Sequence, residues 1–240
     1  MGYPVAGVVD SCASAGPFHP GVHVTSAGIA TPIALAVGLT GILLSLLAEY
    51  AIARTLPRLG RLPGARTRIT TAALTGVLFG ALALRLGMEW TLPAYLLLAV
   101  LGVQLARIDV AHHLLPNPLV LTLLVAGLAL LFLGSSATAE WAELLRAATG
   151  AAILFGIFLI LALISPNGIG MGDVKLAAPV GLYLGYLGWG QLLYGGALGF
   201  VLGGILSVVL IRLKRANLGS EIAFGPSMLA AALGTVLLAS

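Results

Sequence analysis

Gly168-Ile169-Gly170-Met171-Gly172-Asp173-Val174-Lys175 separates two apolar runs in the last third of the chain. Its three glycines permit a tight turn with positive φ and an exposed backbone. Asp173 and Lys175 are among the few ionisable residues of this region. An ionisable side chain at the end of a membrane helix is by default a hypothesis for a functional site. The stretch therefore predicts a functional turn, and its counterpart upstream is Asp109.

The composition identifies an integral membrane protein. The chain has 240 residues, of which 60% are hydrophobic and only 8% are charged, whereas soluble domains carry roughly 25% charged residues. The net charge of +4 comes largely from arginine clusters in loops, which indicate membrane orientation rather than binding to nucleic acid. The single cysteine, Cys12, excludes an internal disulfide framework and a cysteine-based zinc site.

A membrane-spanning helix needs about 20 largely apolar residues, and the hydropathy pattern predicts an all-α polytopic protein with about eight such helices. Residues 1–29 are predicted to be an exposed tail, 30–90 a helix pair joined by a short arginine-rich loop, and 91–240 a six-helix core. The predicted helices are 30–52, 70–87, 91–107, 118–134, 144–164, 174–189, 191–212 and 222–239.

The arginines predict the orientation. The loop at 54–68 carries five arginines and should be cytoplasmic. Alternation from there places both termini outside and residues 107–116 and 168–173 inside. It also places the basic run at 212–215 inside, which is an independent check. Both aspartates are therefore expected at the same cytoplasmic level.

Two carboxyls held close together share a proton, because like charges oppose double ionisation. One can then deprotonate a water while the other protonates a leaving amine or polarises a carbonyl. Asp109 and Asp173 could in this way hydrolyse a peptide without a metal or a covalent intermediate. The pair would titrate as a unit.

Simpler roles are also open for these residues. Asp173 can cap a helix and suit its dipole, while Arg107 and Lys175 fit interfacial anchors. His112-His113 are adjacent, so they point in different directions on a helix and cannot grip a metal as an i, i+4 pair would. From the residues alone, a membrane protease and a proton-coupled transporter both remain open.

Three segments resemble the type IV prepilin peptidases, bacterial members of the glycine-x-glycine-aspartate intramembrane aspartyl proteases. Asp109 followed by Leu115-Pro116-Asn117 resembles the family's first catalytic aspartate and its trailing leucine-proline element. Gly170 to Leu176 resembles the second aspartate motif. Ala223-Phe224-Gly225-Pro226 is similar to the phenylalanine-glycine-proline element that opens the final helix.

The resemblance implies a peptidase of the bacterial cytoplasmic membrane that cuts the short basic leader from prepilins or pseudopilins at the cytoplasmic face. Asp109 and Asp173 would share the acid/base work, and Gly170 and Gly172 would provide the mobile backbone that lets Asp173 approach Asp109. No metal or other cofactor is implied. The further residues expected to shape the site are Lys175, Pro116, Gly225 and Pro226.

The chain departs from the family's pattern after the first helix. Many members carry a longer cytoplasmic region there, with paired cysteines that bind zinc, and also methylate the new N-terminus. The interval at 54–68 is short and lacks cysteine. The resemblance therefore predicts a peptidase without methyltransferase activity.

Two other functions compete with the peptidase. A proton-coupled transporter would place its acids near the bilayer midplane and often shows internal repeats, whereas both aspartates are predicted at one surface. A non-catalytic membrane partner in pilus assembly would keep the fold without needing both aspartates, and both are present.

Overall fold

A computed structural model describes residues 26–55, 63–164, 170–212 and 224–239. These residues form helices connected by short segments, and they contain no strand. The eight helices are α1 (Ser26–Thr55), α2 (Ala65–Leu86), α3 (Leu92–His112), α4 (Asn117–Thr138), α5 (Trp141–Ile164), α6 (Met171–Leu187), α7 (Trp189–Arg212) and α8 (Gly225–Leu238).

Six of these helices, α1 to α5 and α7, are long and apolar enough to cross a membrane. Helix α6 has 17 residues and α8 has 14. Leucines, isoleucines and valines cover the outward faces of the bundle, as expected where lipid rather than water is the solvent. The predicted all-α polytopic membrane architecture is confirmed.

Several helix ends differ from the predicted ones. Helix α3 continues to His112, five residues beyond its predicted end at 107. Arg107 and Asp109 interrupt the hydropathy signal, but no residue before Pro116 breaks a helix. Asp109 therefore lies inside α3 and not in the following loop.

The N-terminal tail and the first loop are shorter than predicted. Helix α1 begins at Ser26, inside the predicted tail 1–29, whose residues 1–25 lie outside the described part. Of the five arginines placed in the loop at 54–68, three lie in helices α1 and α2 and two lie outside the described residues. The helical ones are Arg54, Arg66 and Arg68.

Helices α3 and α6 run antiparallel through the centre of the bundle. The rings of Tyr95 and Tyr183 lie 5.8 Å apart between centroids, and the Tyr95 hydroxyl donates to the Tyr183 carbonyl at 3.3 Å. Both tyrosines are almost fully buried. Buried tyrosines normally find such a partner for the hydroxyl, and this pair fixes the register of the two central helices.

Helix ends alternate between two ends of the bundle, as the predicted topology requires. At the end opposite the aspartates, Arg85 of α2 donates to the carbonyl of Leu237 in the last turn of α8 and to that of Ala239, which follows the helix. Arg146 of α5 donates to the carbonyls of Gly185 and Tyr186 in α6, at 2.8 and 2.6 Å. A cation at a helix C-terminus satisfies carbonyls that have no partner within the helix.

Helices α5 and α6 touch backbone to backbone through glycines. A Cβ added at Gly150 would lie 2.7 Å from the Gly181 carbonyl oxygen and 3.0 Å from the Cα of Gly185. Small residues let membrane helices approach this closely. The contact holds α6, which carries Asp173, against α5.

Gly150→Ala is expected to destabilise the protein by about 1–3 kcal/mol, because the new methyl group would collide with backbone atoms, which cannot move aside by a change of rotamer. Gly156→Ala is the matched control in the same helix, since nothing lies within 4 Å of its added Cβ. Thermal unfolding in detergent would compare the two variants. Equal stability of the two would contradict the close α5–α6 contact.

Candidate active site

Asp109 and Asp173 meet at one end of the bundle. Asp109 lies in the last turn of α3 and Asp173 in the first turn of α6. They are only 4% and 7% exposed, and the charge of Asp109 acts on Asp173. Buried carboxyls are unfavourable unless partners surround them. The two elements singled out in the sequence are therefore brought together in the fold.

The first turn of α8 completes this site. The backbone amide of Gly225 interacts with both aspartate carboxyls, and an added Cβ at Gly225 would lie 2.6 Å from Oδ2 of Asp109. The N-terminus of a helix favours negative charge through its free amides and its dipole. Oδ2 of Asp109 itself is buried and has no hydrogen-bond partner among the described residues. One oxygen of the pair is therefore available for a further hydrogen bond.

The predicted role of the glycines as a positive-φ turn is not what the described residues show. Gly170 is extended, with φ −71° and ψ 146°, and Gly172 lies within α6 without a positive φ. Gly172 instead allows close packing, because its added Cβ would lie 3.1 Å from the Leu115 side chain. Gly168 lies outside the described residues.

Asp173 lies in the first turn of its own helix, at a position compatible with the capping role that one of the simpler interpretations gave it. The N-cap is Gly170, which has no side chain to bond the helix amides. The Asp173 carboxyl interacts with the Gly170 backbone amide, as an acid at the third helical position does in a capping box. Capping fixes the carboxyl at the start of α6 and is compatible with its position beside Asp109.

Lys175 and Pro116 lie at the edge of the site. The Lys175 ammonium donates to Oδ1 of Asn117 at 3.0 Å, which ties α6 to the first residue of α4. Pro116 is the N-cap of α4, and its carbonyl accepts from the amides of Leu119 and Val120. Lys175 is exposed, so these two residues fix helix starts around the aspartates rather than contact them.

An aromatic cluster of one buried and two partly buried rings holds the start of α8. The ring of Phe224, the N-cap of α8, lies 5.4 Å from that of Phe200 and 5.9 Å from that of Phe158, between centroids. Pro226 follows in the first turn, where its missing N–H is not needed. The cluster determines where Gly225 lies, and nothing in the sequence marked Phe158 or Phe200.

His112 and His113 end α3 and are exposed. His113 has a φ of +49° and donates its amide to the Asp109 carbonyl at 2.8 Å, which closes the last turn of the helix. The described residues contain no group of three or more histidine, cysteine or acidic side chains that could hold a metal.

The site thus combines two buried carboxyls, one uncommitted carboxylate oxygen and a backbone amide that faces both acids. Such a pair can exchange protons with a water and with a bound carbonyl or amine. It also lies at the end of the bundle, where a segment leaving the membrane could reach it.

Comparison with known proteins shows which family and which relatives this chain is similar to. Residues 96–211 match the type IV leader peptidase family. The chain is 37% identical over 152 residues to a prepilin leader peptidase/N-methyltransferase of Stutzerimonas stutzeri, a match that covers 63% of this chain and 51% of the relative. A protein of the same name from Neisseria gonorrhoeae is 30% identical over 156 residues, covering 65% of this chain and 52% of the relative.

The relative of that name from Pseudomonas aeruginosa is 37% identical over 153 residues, which is 63% of this chain and 51% of the relative. The chain thus spans about half the length of the curated relatives that it matches. No solved structure gives a significant match. The resemblance inferred from the motifs is confirmed: residues 96–211, which carry both aspartates, match the type IV leader peptidase family, and the similar relatives are named prepilin leader peptidase/N-methyltransferase.

Proposed function

We propose that the protein is a membrane aspartyl endopeptidase that removes the short basic leader of type IV prepilins or pseudopilins. The observation that carries this proposal is the convergence of Asp109, Asp173 and the Gly225 amide at one end of the bundle. The names of the matching relatives support the substrate class. Peptidase activity without methylation remains part of the proposal.

In the reactive state one carboxyl of the pair is ionised and the other is protonated. The ionised carboxyl takes a proton from a water, whose oxygen attacks the carbonyl carbon of the scissile peptide. The protonated carboxyl gives its proton to the carbonyl oxygen. On collapse, the carbon–nitrogen bond breaks, the first carboxyl protonates the leaving amine, and a hydroxyl of the intermediate returns its proton to the second carboxyl.

The aspartate end of the bundle is proposed to face the cytoplasm of a bacterial inner membrane. Arg54, Arg66 and Arg68 lie at the α1–α2 connection, and Arg212 is the last residue of α7, which runs toward the aspartate end. All four are thus at the aspartate end. Cytoplasmic segments of membrane proteins carry an excess of basic residues, which supports this orientation and places the active site where a basic leader emerges.

A prepilin from the same genome, co-expressed with this protein, is expected to lose its leader. The measurement is a gel shift with N-terminal sequencing of the product, and the cut is expected directly after the leader's last glycine. Intact mass of the mature chain tests the absence of methylation. A prepilin with valine at that glycine is the matched control and should stay uncut.

An absence of cutting across the pilins and pseudopilins of that genome, with the enzyme present in the membrane, would contradict the proposed function. Equal cutting of the valine control would contradict the proposed leader specificity.

A further inference from the structure

A buried carboxylate outside the aspartate pair sits in α1. The side chain of Glu49 is fully buried, and it pairs with Nε of Arg68 in α2 at 3.3 Å. Its other oxygen accepts a hydrogen bond from the Thr71 hydroxyl at 2.5 Å. A buried ionised carboxylate is unfavourable without such partners, and the proposed hydrolysis does not use this one.

The same carboxylate lies level with Arg107 of the helix that carries Asp109. Glu49 lies one turn beyond Ser45 in α1, and the half-buried Arg107 lies about one turn beyond Gln104 in α3. Both helices run toward the aspartate end and Gln104 bonds to Ser45, so the two charges face the same level of the α1–α3 contact, where the charge of Glu49 favours that of Arg107. Its Nε is buried and has no hydrogen-bond partner among the described residues. Arg107 belongs to the last turns of α3, and Asp109 follows it by only two residues.

A polar contact joins α1 to α3 near this position. Gln104 is fully buried, and its amide donates to Oγ of Ser45 at 3.2 Å and to the Ser45 carbonyl at 3.4 Å. Gln104, Arg107 and Asp109 lie within about 8 Å along the axis of α3, given a rise of roughly 1.5 Å per residue. Helix α1 therefore contacts the segment of α3 that carries the first aspartate.

The last turn of α3 has little room to move toward the start of α8. An added Cβ at Gly225 would be only 2.6 Å from Oδ2 of Asp109, so the carboxyl already lies against the backbone of α8. A shift or rotation of the last turn of α3 would change the distance between the Asp109 carboxyl and the backbone of Gly225. Misplacement of a reacting group by about 1 Å can lower a rate by about 10²-fold.

We propose that Glu49 is a positioning residue: its buried charge holds Arg107, and through the last turn of α3 it holds Asp109 against Gly225. The proposal deepens the proposed peptidase function and rests on it for its effect on turnover. It assigns the N-terminal helix pair, all of which lies outside the family match at 96–211, a direct part in shaping the active site.

The test is a double-mutant cycle of Glu49→Gln, Arg107→Gln and the combined variant, assayed on prepilin. Glutamine keeps the acceptor for Thr71 but removes the charge. Each single variant is expected to lower kcat about tenfold while KM stays within about twofold. The combined variant should be no slower than the slower single variant, because both substitutions break the same coupling. Tyr50→Phe, at the exposed neighbour of Glu49, should retain wild-type kcat.

A kcat at the wild-type level in either single variant would overturn the proposal, and so would losses that multiply in the combined variant. A loss confined to KM would also overturn it. If Glu49→Gln fails to accumulate in the membrane, Arg107→Gln decides, since Arg107 makes no ion pair among the described residues.

Hydrogen exchange read by mass spectrometry tests the positioning without any substrate. In Glu49→Gln, the amides of the last turn of α3 should exchange about tenfold faster, including that of His113, which bonds to the Asp109 carbonyl. The Tyr95 end of α3 should exchange as in the wild type. Unchanged exchange, or a uniform increase over all helices, would overturn the positioning role. A wild-type enzyme that cuts no prepilin would instead contradict only the proposed function.

Discussion

Asp109→Asn and Asp173→Asn are each expected to lower the rate of leader cleavage on the order of 10³-fold. Asparagine preserves the size of the buried side chain, but it can neither accept a proton from water nor donate one to the substrate in the way a carboxyl does. The two carboxyls act as one unit in the proposed mechanism. The combined variant is therefore expected to be as inactive as either single variant, as with other residues that act together.

The matched control is Glu140→Gln, which makes the same chemical change at an exposed acid at the opposite end of the bundle. It should cleave prepilin at the wild-type rate. Membrane abundance and elution in detergent would establish that all variants fold. Substantial cleavage by either asparagine variant would rule out the two-aspartate mechanism, even if the wild type remains a peptidase.

The positions of both aspartates at one end could be predicted because that inference needs only the helix count and the direction of each crossing. Apolar runs of sufficient length determine the number of helices, and the arginines provide a separate check on orientation. An error of a few residues at a helix end does not change which end of the bundle that helix end lies at. Helix α3 ends five residues later than predicted, yet Asp109 still lies at the same end of the bundle as Asp173.

The contacts within the site could not be predicted, because they depend on packing between segments that are distant in the chain. The motif around Gly170 and Gly172 suggested a flexible turn, whereas Gly172 gives room to Leu115. Phe158, Phe200 and Phe224 meet from three helices, and no spacing rule pairs them. Glu49 did carry a readable signal, since an acid within an apolar helix marks a site worth attention, but only the structure shows its ion pair with Arg68.

Gly225→Ala is expected to reduce cleavage about 10²-fold while leaving the protein folded. The added methyl carbon would lie 2.6 Å from Oδ2 of Asp109, closer than atoms can approach without a shift. The Asp109 carboxyl can turn about its side-chain bonds, whereas the backbone of α8 cannot, so the carboxyl is expected to rotate away from the Gly225 amide and from Asp173. Alanine favours helix more than glycine does, so α8 itself should not be weakened.

Gly234→Ala is the matched control for this substitution, because it lies in the same helix and no atom approaches within 4 Å of its added Cβ. Both variants would be assayed for cleavage of the same prepilin and for thermal stability in detergent. If the Gly225 variant cleaves as fast as the Gly234 variant, the carboxyl of Asp109 tolerates displacement from α8. The role assigned to the start of α8 would then be wrong, because reaction would not require the three-way contact of Asp109, Asp173 and Gly225. If the Gly225 variant is slow and as stable as its control, the defect lies in the position of the carboxyl and not in the fold.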